Sequence, residues 1–472
     1  ILRQSLQNNI PIKVIGFLDD DKEKIGHKIH GRPILNEINQ IHRVESSFEE
    51  IYICVPSANR KQMRRIIDIC KKTKKPIKTL PSLAEIISDK VSISHLRNVS
   101  ILDLLGRDEI KLNIDLINKT FRGKRVLITG AGGSIGSELV RQCLSFSPSL
   151  LIMIDISELN LFEIEREIKQ NKSEVLVKPV LCDIRDSLII NQIFEDYKPQ
   201  VVLHAAAYKH VPIQESFPWE AIKTNIFGTL NLSETSIQHN VEKFVLVSTD
   251  KAVKPTNVMG ATKRLAEIVS LYFNRNNIHT DFMAVRFGNV LGSSGSVIPI
   301  FQDQIKKGGP VTITDPNMKR FFMSIPEASQ LILQAGSFGR GGEVFILEMG
   351  SPIKIIDIAN QLIKLSGYEP DKDIEIKVTG SRPGEKIVEE LSLPNEDLDK
   401  TTHKKIMVLN DSRMTSLYLK KVFKEINDLQ QSIIGREANE VRKILANILP
   451  EYEPDVKNIE SIISNLDYKA KA

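Results

Sequence analysis

The sequence predicts an α/β fold: a mostly parallel sheet with helices on both faces. Three observations carry this. Between about residues 123 and 290, strand candidates at RVLIT, LIMID, VLVKPVLCD, PQVVLHAA, KFVLVS and DFMAVRFGNV alternate with helical patterns, the repeat that builds a parallel sheet. The first strand runs into a glycine-rich turn and then an apolar-periodic helix, RVLITGAGGSIGSELVRQCL. Finally, 472 residues exceed what one hydrophobic core supports, so two or three domains are expected.

Residues 1–100 read as half of a second α/β domain. IKVIGFLDDD and EEIYICVPS are short β-branched runs ending in polar turns, Asn59 to Lys72 has amphipathic helical spacing, and PIKTL is a further short strand. The opening ILRQSL reads as a helix whose preceding strand and loop are missing. The expectation is a truncated nucleotide-fold domain without its phosphate loop, in a fragment of something longer, since no initiating methionine is present. Residues 101–122 read as a linker with one short helix, and 123–290 as the core of the main domain. Over 291–400 the alternation loosens. SVIPIFQDQIKKG, VTITD, EVFILEM and IEIKV stand between helices such as PEASQLILQAG and IKIIDIANQLIKL, as expected of a small lid with some return to the main domain. Residues 401–472 hold two helices, in SRMTSLYLKKVFKEINDLQQ and REANEVRKILANILP.

Composition excludes several classes. At 41% hydrophobic and 26% charged the chain is neither disordered nor fibrous. A net charge of +5 without a basic tail argues against a nucleic-acid partner. Cys54, Cys70, Cys143 and Cys182 lack metal-ligand spacing, so no metal and a reduced, cytosolic compartment are expected. No run approaches the roughly 18 apolar residues of a membrane helix, and no signal peptide is present.

The glycine turn carries the first chemical signal. Gly130, Gly133 and Gly136 stand where a strand ends and a helix begins, with Ser134 and Ile135 between them. Such glycines give a tight turn, room for a pyrophosphate and close packing of helix on sheet, and the freed amides face phosphate. A plain turn is the alternative. Asp155 closes the next strand, where a carboxylate bonds ribose hydroxyls and repels a 2′-phosphate, so NAD is favoured over NADP. Asp183 and Ile184 are candidates for the adenine edge, with a helix cap as the other reading of Asp183. Ala205 to Ala207 offer small side chains where backbone passes the cofactor.

In STDKAVKPTNVMGATKR, Lys263 follows position 259 by four residues. That is the spacing at which a Rossmann-type oxidoreductase places tyrosine and lysine on adjacent turns, yet position 259 is methionine. Taken together, TGAGGSIGSELVRQ, LHAAAYKHVPIQE, NIFGTLNL, VLVSTDKAVKPTNVMGATKRLAE, VRFGNVLGSSGSVIP and TGSRPGEK resemble the membrane-linked nucleotide-sugar 4,6-dehydratases of bacterial polysaccharide and glycan biosynthesis, within the extended short-chain dehydrogenase/reductase superfamily. The resemblance spans about residues 10 to 395. It implies a long form with an amino-terminal transmembrane bundle and a second nucleotide-binding-like domain. It also implies UDP-N-acetylglucosamine as substrate, and a branch in which methionine replaces the tyrosine, so that Met259 marks membership. The parent is then expected at the cytoplasmic face of the inner membrane through a segment outside this chain. The fragment itself is expected to be soluble and cytoplasmic, and homodimeric.

The expected chemistry is hydride removal from C4, proton loss at C5, departure of the C6 hydroxyl and hydride return to C6. It needs a group at the 4-oxygen, a base and an acid. Thr249, Asp250 and Lys251 directly follow the strand KFVLVS, at the sheet edge where ligands gather. Thr249 is expected at the 4-oxygen, Asp250 as the acid and Lys251 as the C5 base, the last requiring a lowered pKa; the two roles are interchangeable on sequence. Lys263 is expected on the nicotinamide ribose. A cap or turn is the structural alternative for Ser-Thr-Asp, and a solvent-facing lysine for Lys263.

Lys209 and His210 are expected near sugar or phosphates, with Glu215 orienting one of them. By the resemblance, Asn289 and Val290 line the sugar pocket and 296–314 wraps the uridine. Arg320 and Arg382 are candidates for the diphosphate, joined by Glu385, although GSRPGEK also fits a plain turn. Two rival functions remain, an NAD-dependent 4-epimerase on the same nucleotide sugar and a catalytically silent nucleotide-binding scaffold.

Overall fold

The computed structural model describes residues 13–55, 58, 60–73, 75–80, 97–98, 110–171, 173–393 and 396–455. The expected opening helix ILRQSL and residues 101–109 of the linker lie outside them. The chain forms two compact units. One comprises Ile1–Lys111, Phe301–Val311 and Asp357–Ile376, the other Leu112–Ile300, Thr312–Ile356 and Lys377–Ala472.

In the second unit nine strands form one sheet: β1 (Arg125–Thr129), β2 (Leu150–Asp155), β3 (Leu176–Leu181), β4 (Val201–His204), β5 (Lys243–Val247), β6 (Asp281–Arg286), β7 (Val344–Leu347), β8 (Asp397–Lys400) and β9 (Ile406–Asn410). Their spatial order is β8-β9-β7-β6-β5-β4-β1-β2-β3. The run from β7 to β3 is parallel throughout; β9 and β8 add on antiparallel. Strand order reverses between β1 and β4, the switch point at which ligands of doubly wound sheets bind.

Side-chain pattern explains this order. Every residue of β2 is buried, as a strand covered on both faces requires. β3 alternates exposed and half-buried residues and carries Pro179, which an edge strand tolerates because its ladder has a free side. The second unit's helices include α1 (Ser134–Ser145), α2 (Glu158–Gln170), α3 (Ser187–Tyr197), α4 (Gly228–Gln238), α5 (Val258–Asn276), α6 (Ile325–Phe338), α7 (Ser416–Ser432) and α8 (Ala438–Ile448). Leu127, Ile152, Val202, Phe244 and Phe282 share one buried cluster with Ile190, Leu232, Leu265, Val422 and Leu445 from α3, α4, α5, α7 and α8. The parallel sheet is the one the strand and helix pattern predicts, and the Rossmann-like, NAD-binding fold of short-chain dehydrogenase type with a small lid is the one the resemblance implies.

The other unit holds two small sheets. One joins Phe17–Leu18 in parallel to Arg32–Asn36 and pairs the latter with Lys28–Ile29. The other joins Ile51–Ile53 in parallel to Ile77–Thr79, which Arg97–Asn98 flanks. The helix Arg60–Lys71 matches the expected amphipathic segment, and it buries Ile66, Ile67 and Cys70. One expectation fails. SVIPIFQDQIKKG, grouped with the strand candidates, forms the helix Val297–Lys306. Ile298, Phe301 and Ile305 are buried at three- and four-residue spacing, and Pro299 sits in the first turn, where its missing N–H costs nothing. Among the described residues no helix is long and apolar enough to cross a membrane.

A buried ionic network ties β5, β6 and α5 together. Glu267, fully buried on α5, accepts hydrogen bonds from Ser248 Oγ at 2.6 Å, Arg286 Nε and Nη2 at 2.7 Å each, and Arg264 Nη1 at 3.1 Å. Arg264 also reaches Asp411 at 2.9 Å and Glu451 at 3.1 Å. Burial opposes the Glu267 charge, but the two guanidiniums and the Ser248 hydroxyl outweigh it and push the pKa down to about 2 from 4.5. Its contribution to stability is therefore full above about pH 4.5 and is lost as pH falls from there toward 2. Replacing Glu267 by Gln strands the buried Arg286 guanidinium and removes one of the three carboxylates around Arg264, and urea unfolding at pH 7 should show a loss of about 3–5 kcal/mol. The difference between wild type and variant should shrink on acidification through that window.

Candidate active site

At the switch point β1 ends in the glycine turn. Gly130 has φ of 63° and a Cβ there would lie 2.8 Å from the backbone of Ala206, so the segment after β4 passes directly against the turn. A Cβ on Gly136 would overlap the carbonyl oxygen of Gly130. Gly133 begins α1 without a side-chain cap. By contrast α2, α3, α5 and α6 are capped by Ser157, Asp186, Asn257 and Ser324. The first amides of α1, around Ser134 and Ile135, are thus left for an anion. Ser134 Oγ accepts from the backbone of Ser294 at 3.2 Å.

Asp155 is buried at the end of β2 and accepts from Gly132 N at 2.9 Å and Ser157 N at 2.8 Å. Its carboxylate thus lies beside the glycine turn. Ala205 and Ala206 are half-buried, and Ala206 N donates to Thr129 Oγ1 at 3.3 Å. Asp183 pairs with Arg185 at 2.6 Å, and Arg185 with Glu220 at 2.8 Å. Burial opposes ionisation of Asp183, yet Arg185 holds its carboxyl below the ordinary range. Asp186, not Asp183, caps α3. Ile184 is buried against Gly228.

Three residues hang from the end of β5. Ser248 N donates to Val285 O at 2.7 Å and Asp250 N to Phe287 O at 3.0 Å, so the strand geometry continues to the turn Asp250–Ala252. Asp250 is fully buried. Its Oδ1 accepts from the Thr249 hydroxyl at 2.9 Å and from Lys251 Nζ at 3.0 Å. Its Oδ2 is buried without a hydrogen-bond partner, beside Gly288 and Met349. Lys251 Nζ also donates to Asn289 Oδ1 at 3.1 Å. Asn289 and Val290 form a short strand paired in parallel with Phe322–Met323.

The pKa of Lys251 reverses the expectation that it is lowered. Burial does disfavour the ammonium, but the carboxylates of Asp250 and Glu389 outweigh it and hold the pKa above the ordinary value. Lys263 behaves oppositely. It is buried one turn after Met259 on α5, and desolvation, only partly offset by Glu267, pushes its pKa down to about 8. Met259 is itself buried, 3% exposed, so the tyrosine position faces inward and is filled by a thioether.

The remaining expected contacts separate into groups. Glu215, expected to orient Lys209 or His210, instead accepts from Val258 N at 2.6 Å and Arg442 Nε at 2.8 Å, fixing the start of α5. Lys209 and His210 are exposed at the end of β4, and the His210 ring lies against Gly295. Arg320, expected on the diphosphate, is 5% exposed; its Nη1 donates to the carbonyls of Lys319 and Ile387, and its Nη2 lies 3.9 Å from both Glu385 and Glu389. Arg382 is exposed, and its N–H donates to Glu385 Oε2 at 3.2 Å within a turn. That turn docks on α5, since Thr256 Oγ1 and Asn257 Nδ2 both donate to Gly384 O.

Glu389 was not foreseen. It is buried, and its Oε1 lies 4.0 Å from Lys251 Nζ. In EKIVEEL nothing in the sequence separates it from its neighbour Glu390.

The chain matches the family described as "Polysaccharide biosynthesis protein" over residues 126–411 and the family described as "CoA-binding domain" over 1–81. It is 43% identical over 411 residues to a capsular polysaccharide biosynthesis protein, CapD, of Staphylococcus aureus, covering 86% of this chain and 68% of that protein. Identity to the probable polysaccharide biosynthesis protein EpsC of Bacillus subtilis is also 43%, over 400 residues, 84% and 67%. Shorter alignments reach a UDP-glucose 4-epimerase of Rickettsia akari (37% over 289 residues, 59% of this chain and 80% of that protein) and a UDP-N-acetylglucosamine 4,6-dehydratase (inverting) of Campylobacter jejuni (35% over 283, 59% and 79%). Among solved structures, Pen from Bacillus thuringiensis is 34% identical with a TM-score of 0.57, covering 62% of this chain and 91% of that one. With a family match over most of its length and a sheet edge built as the site requires, this chain belongs to the polysaccharide biosynthesis protein family.

Proposed function

We propose that this chain catalyses an NAD-dependent dehydration or epimerisation of a UDP-sugar, with UDP-N-acetylglucosamine as the foremost substrate. The carrying observation is the Asp250–Lys251 pair at the carboxyl edge of β5, its carboxylate fully buried with one oxygen unpartnered and its amine half-buried. The uncapped start of α1, the cradle at Gly130 and Gly136 and the carboxylate of Asp155 fit a dinucleotide without a 2′-phosphate. NAD, when bound, supplies reversible hydride acceptance from C4. Gly133, Ser134 and Ile135 would hold its pyrophosphate, Asp155 its adenosine ribose and Lys263 its nicotinamide ribose.

Both reactions begin at the sugar's 4-hydroxyl. Thr249 would hydrogen-bond that oxygen in the absence of a tyrosine, and Lys263, with its pKa at about 8, would add positive charge that is readily given up. The two reactions diverge once C4 is oxidised. Epimerisation needs no further proton transfer at carbon, whereas dehydration removes a proton from C5 and delivers one to the departing C6 hydroxyl.

The resting Asp250–Lys251 ion pair supplies both partners by one internal transfer. Moving a proton from Lys251 Nζ to Asp250 Oδ1, 3.0 Å away, yields a neutral amine as base and a carboxylic acid as proton donor. The raised Lys251 pKa makes the ion pair the resting form, so this transfer runs uphill before the C5 proton is taken. Geometry therefore favours dehydration. Sequence similarity leans the other way, because the Rickettsia epimerase is slightly more similar than the Campylobacter dehydratase. UDP-glucose 4-epimerisation, or its counterpart on the N-acetylated sugar, is accordingly the second reading.

Incubation with UDP-N-acetylglucosamine in deuterated water distinguishes them. Dehydration gives a 4-keto-6-deoxy sugar lighter by one water and labelled at C5; epimerisation gives an isomer of unchanged mass. Recovery of unaltered substrate after incubation with NAD would count against both. Asp250→Asn removes the proton donor while preserving shape and should lower kcat by about 10²–10⁴-fold in the dehydration reading. A Cβ at position 136 overpacks the turn by about 1–3 kcal/mol, so Gly136→Ala should weaken NADH binding roughly 10- to 100-fold, measured by fluorescence titration.

A further inference from the structure

We propose that Glu389 is a positioning residue for Lys251, completing a carboxylate–ammonium–carboxylate array that fixes where the amine points and when it can lose its proton. The inference rests on the reading of Asp250 and Lys251 as the reacting pair.

The geometry is that of a charge held on purpose. Lys251 Nζ stands between two acidic groups, Asp250 Oδ1 at 3.0 Å and Glu389 Oε1 at 4.0 Å, with Asn289 Oδ1 at 3.1 Å as its third neighbour. Glu389 is 4% exposed, and a carboxylate so buried persists only when opposite charge surrounds it. The groups facing it are Lys251 and Asp250 on the turn after β5, Arg320 on the strand Lys319–Arg320, and Lys386 on its own segment. Arg320 Nη2 is 3.9 Å from Glu389 Oε1 and is anchored by its Nη1 on the carbonyls of Lys319 and Ile387. Lys386 Nζ is tied to Val253 O at 3.0 Å.

At 4.0 and 3.9 Å the contacts of Glu389 with Lys251 and Arg320 act through charge and exceed hydrogen-bond length. Glu389 can therefore hold Lys251 on the Asp250–Asn289 side without capturing its proton. Burial, joined by the nearby Asp250, holds the Glu389 pKa above the ordinary carboxylate value, and Lys251, Arg320 and Lys386 offset only part of that rise. The consequence for Lys251 has one sign. Glu389 stabilises the ammonium, so deleting its charge makes the proton easier to lose, whether Lys251 acts as base or as acid.

Full-length chains carrying Glu389→Gln and Glu389→Asp test this with two readouts. In the resting protein, the side-chain amine of Lys251 is titrated by ¹⁵N NMR, with its resonance assigned by its loss in Lys251→Arg. During turnover of UDP-N-acetylglucosamine, kcat and KM are followed against pH, and absorbance at 340 nm reports C4 oxidation. Glu389→Gln should move the Lys251 titration, and the matching limb of the rate profile, to lower pH by about one unit or more. It should reduce kcat at least tenfold with KM within about twofold, while Glu389→Asp returns the titration toward wild type. Superimposable titrations of wild type and Glu389→Gln would overturn the inference, as would a loss of thermal stability with kcat and profile unchanged. If Glu389→Gln does not fold, Glu389→Asp must keep the wild-type titration with reduced kcat, and an unaltered kcat overturns it. A wild-type protein with no 340 nm transient and no product refutes the proposed reaction, and the resting titration still judges Glu389.

Discussion

The buried carboxylate of Glu267 is the constraint on which the site depends. It receives hydrogen bonds from Ser248 at the end of β5, from Arg286 at the end of β6 and from Arg264 one turn away on α5. β5 and β6, already paired in the sheet, are thereby tied to α5 by directional bonds as well as by apolar packing. Ser248 directly precedes Thr249, so the network sets where Thr249, Asp250 and Lys251 emerge. Through Arg264 it extends to Asp411 and Glu451, so the carboxyl-terminal part of the chain holds the same helix in place. Such buried ion pairs add little net stability over an apolar core, and their use lies in specifying one arrangement.

The site above this network contrasts a buried lysine, Lys263, with a half-buried one, Lys251. Among the described residues Lys263 has one carboxylate acting on it, Glu267, already claimed by two arginines, and desolvation pushes its pKa down to about 8. Lys251 is also desolvated, but Asp250 and Glu389 reverse the outcome. One short stretch of chain thus presents an amine poised near neutrality and an ammonium held firmly. The start of α5 is held by Glu215 and Asn257, which accept from the amides of Val258 and Gly260.

Much of this was legible in the sequence, for local reasons. Gly130, Gly133 and Gly136 announce the turn because glycine alone fits where backbone meets backbone, and Asp155 closes the next strand. Met259 and Lys263 lie on one helix face because helical spacing is local. Less was legible where the meaning of a residue is set by a distant partner. Glu215 looked like a substrate-side carboxylate and is bound to Val258 and Arg442. Arg320 looked like a phosphate fork and faces two glutamates. The segment from 297 to 306 was misread because a short apolar run does not itself distinguish strand from helix.

The sequence by itself determined the parallel sheet, the glycine turn with its acidic partner, and the placement of Thr249, Asp250 and Lys251 at a strand end, since these arise from periodicity and from nearest neighbours along the chain. Only the tertiary structure decided that Lys251 is held as an ammonium, that Glu389 stands behind it, and that strands β8 and β9 complete the sheet beside β7. Those outcomes depend on burial and on charges brought together from distant parts of the chain, which no local pattern encodes.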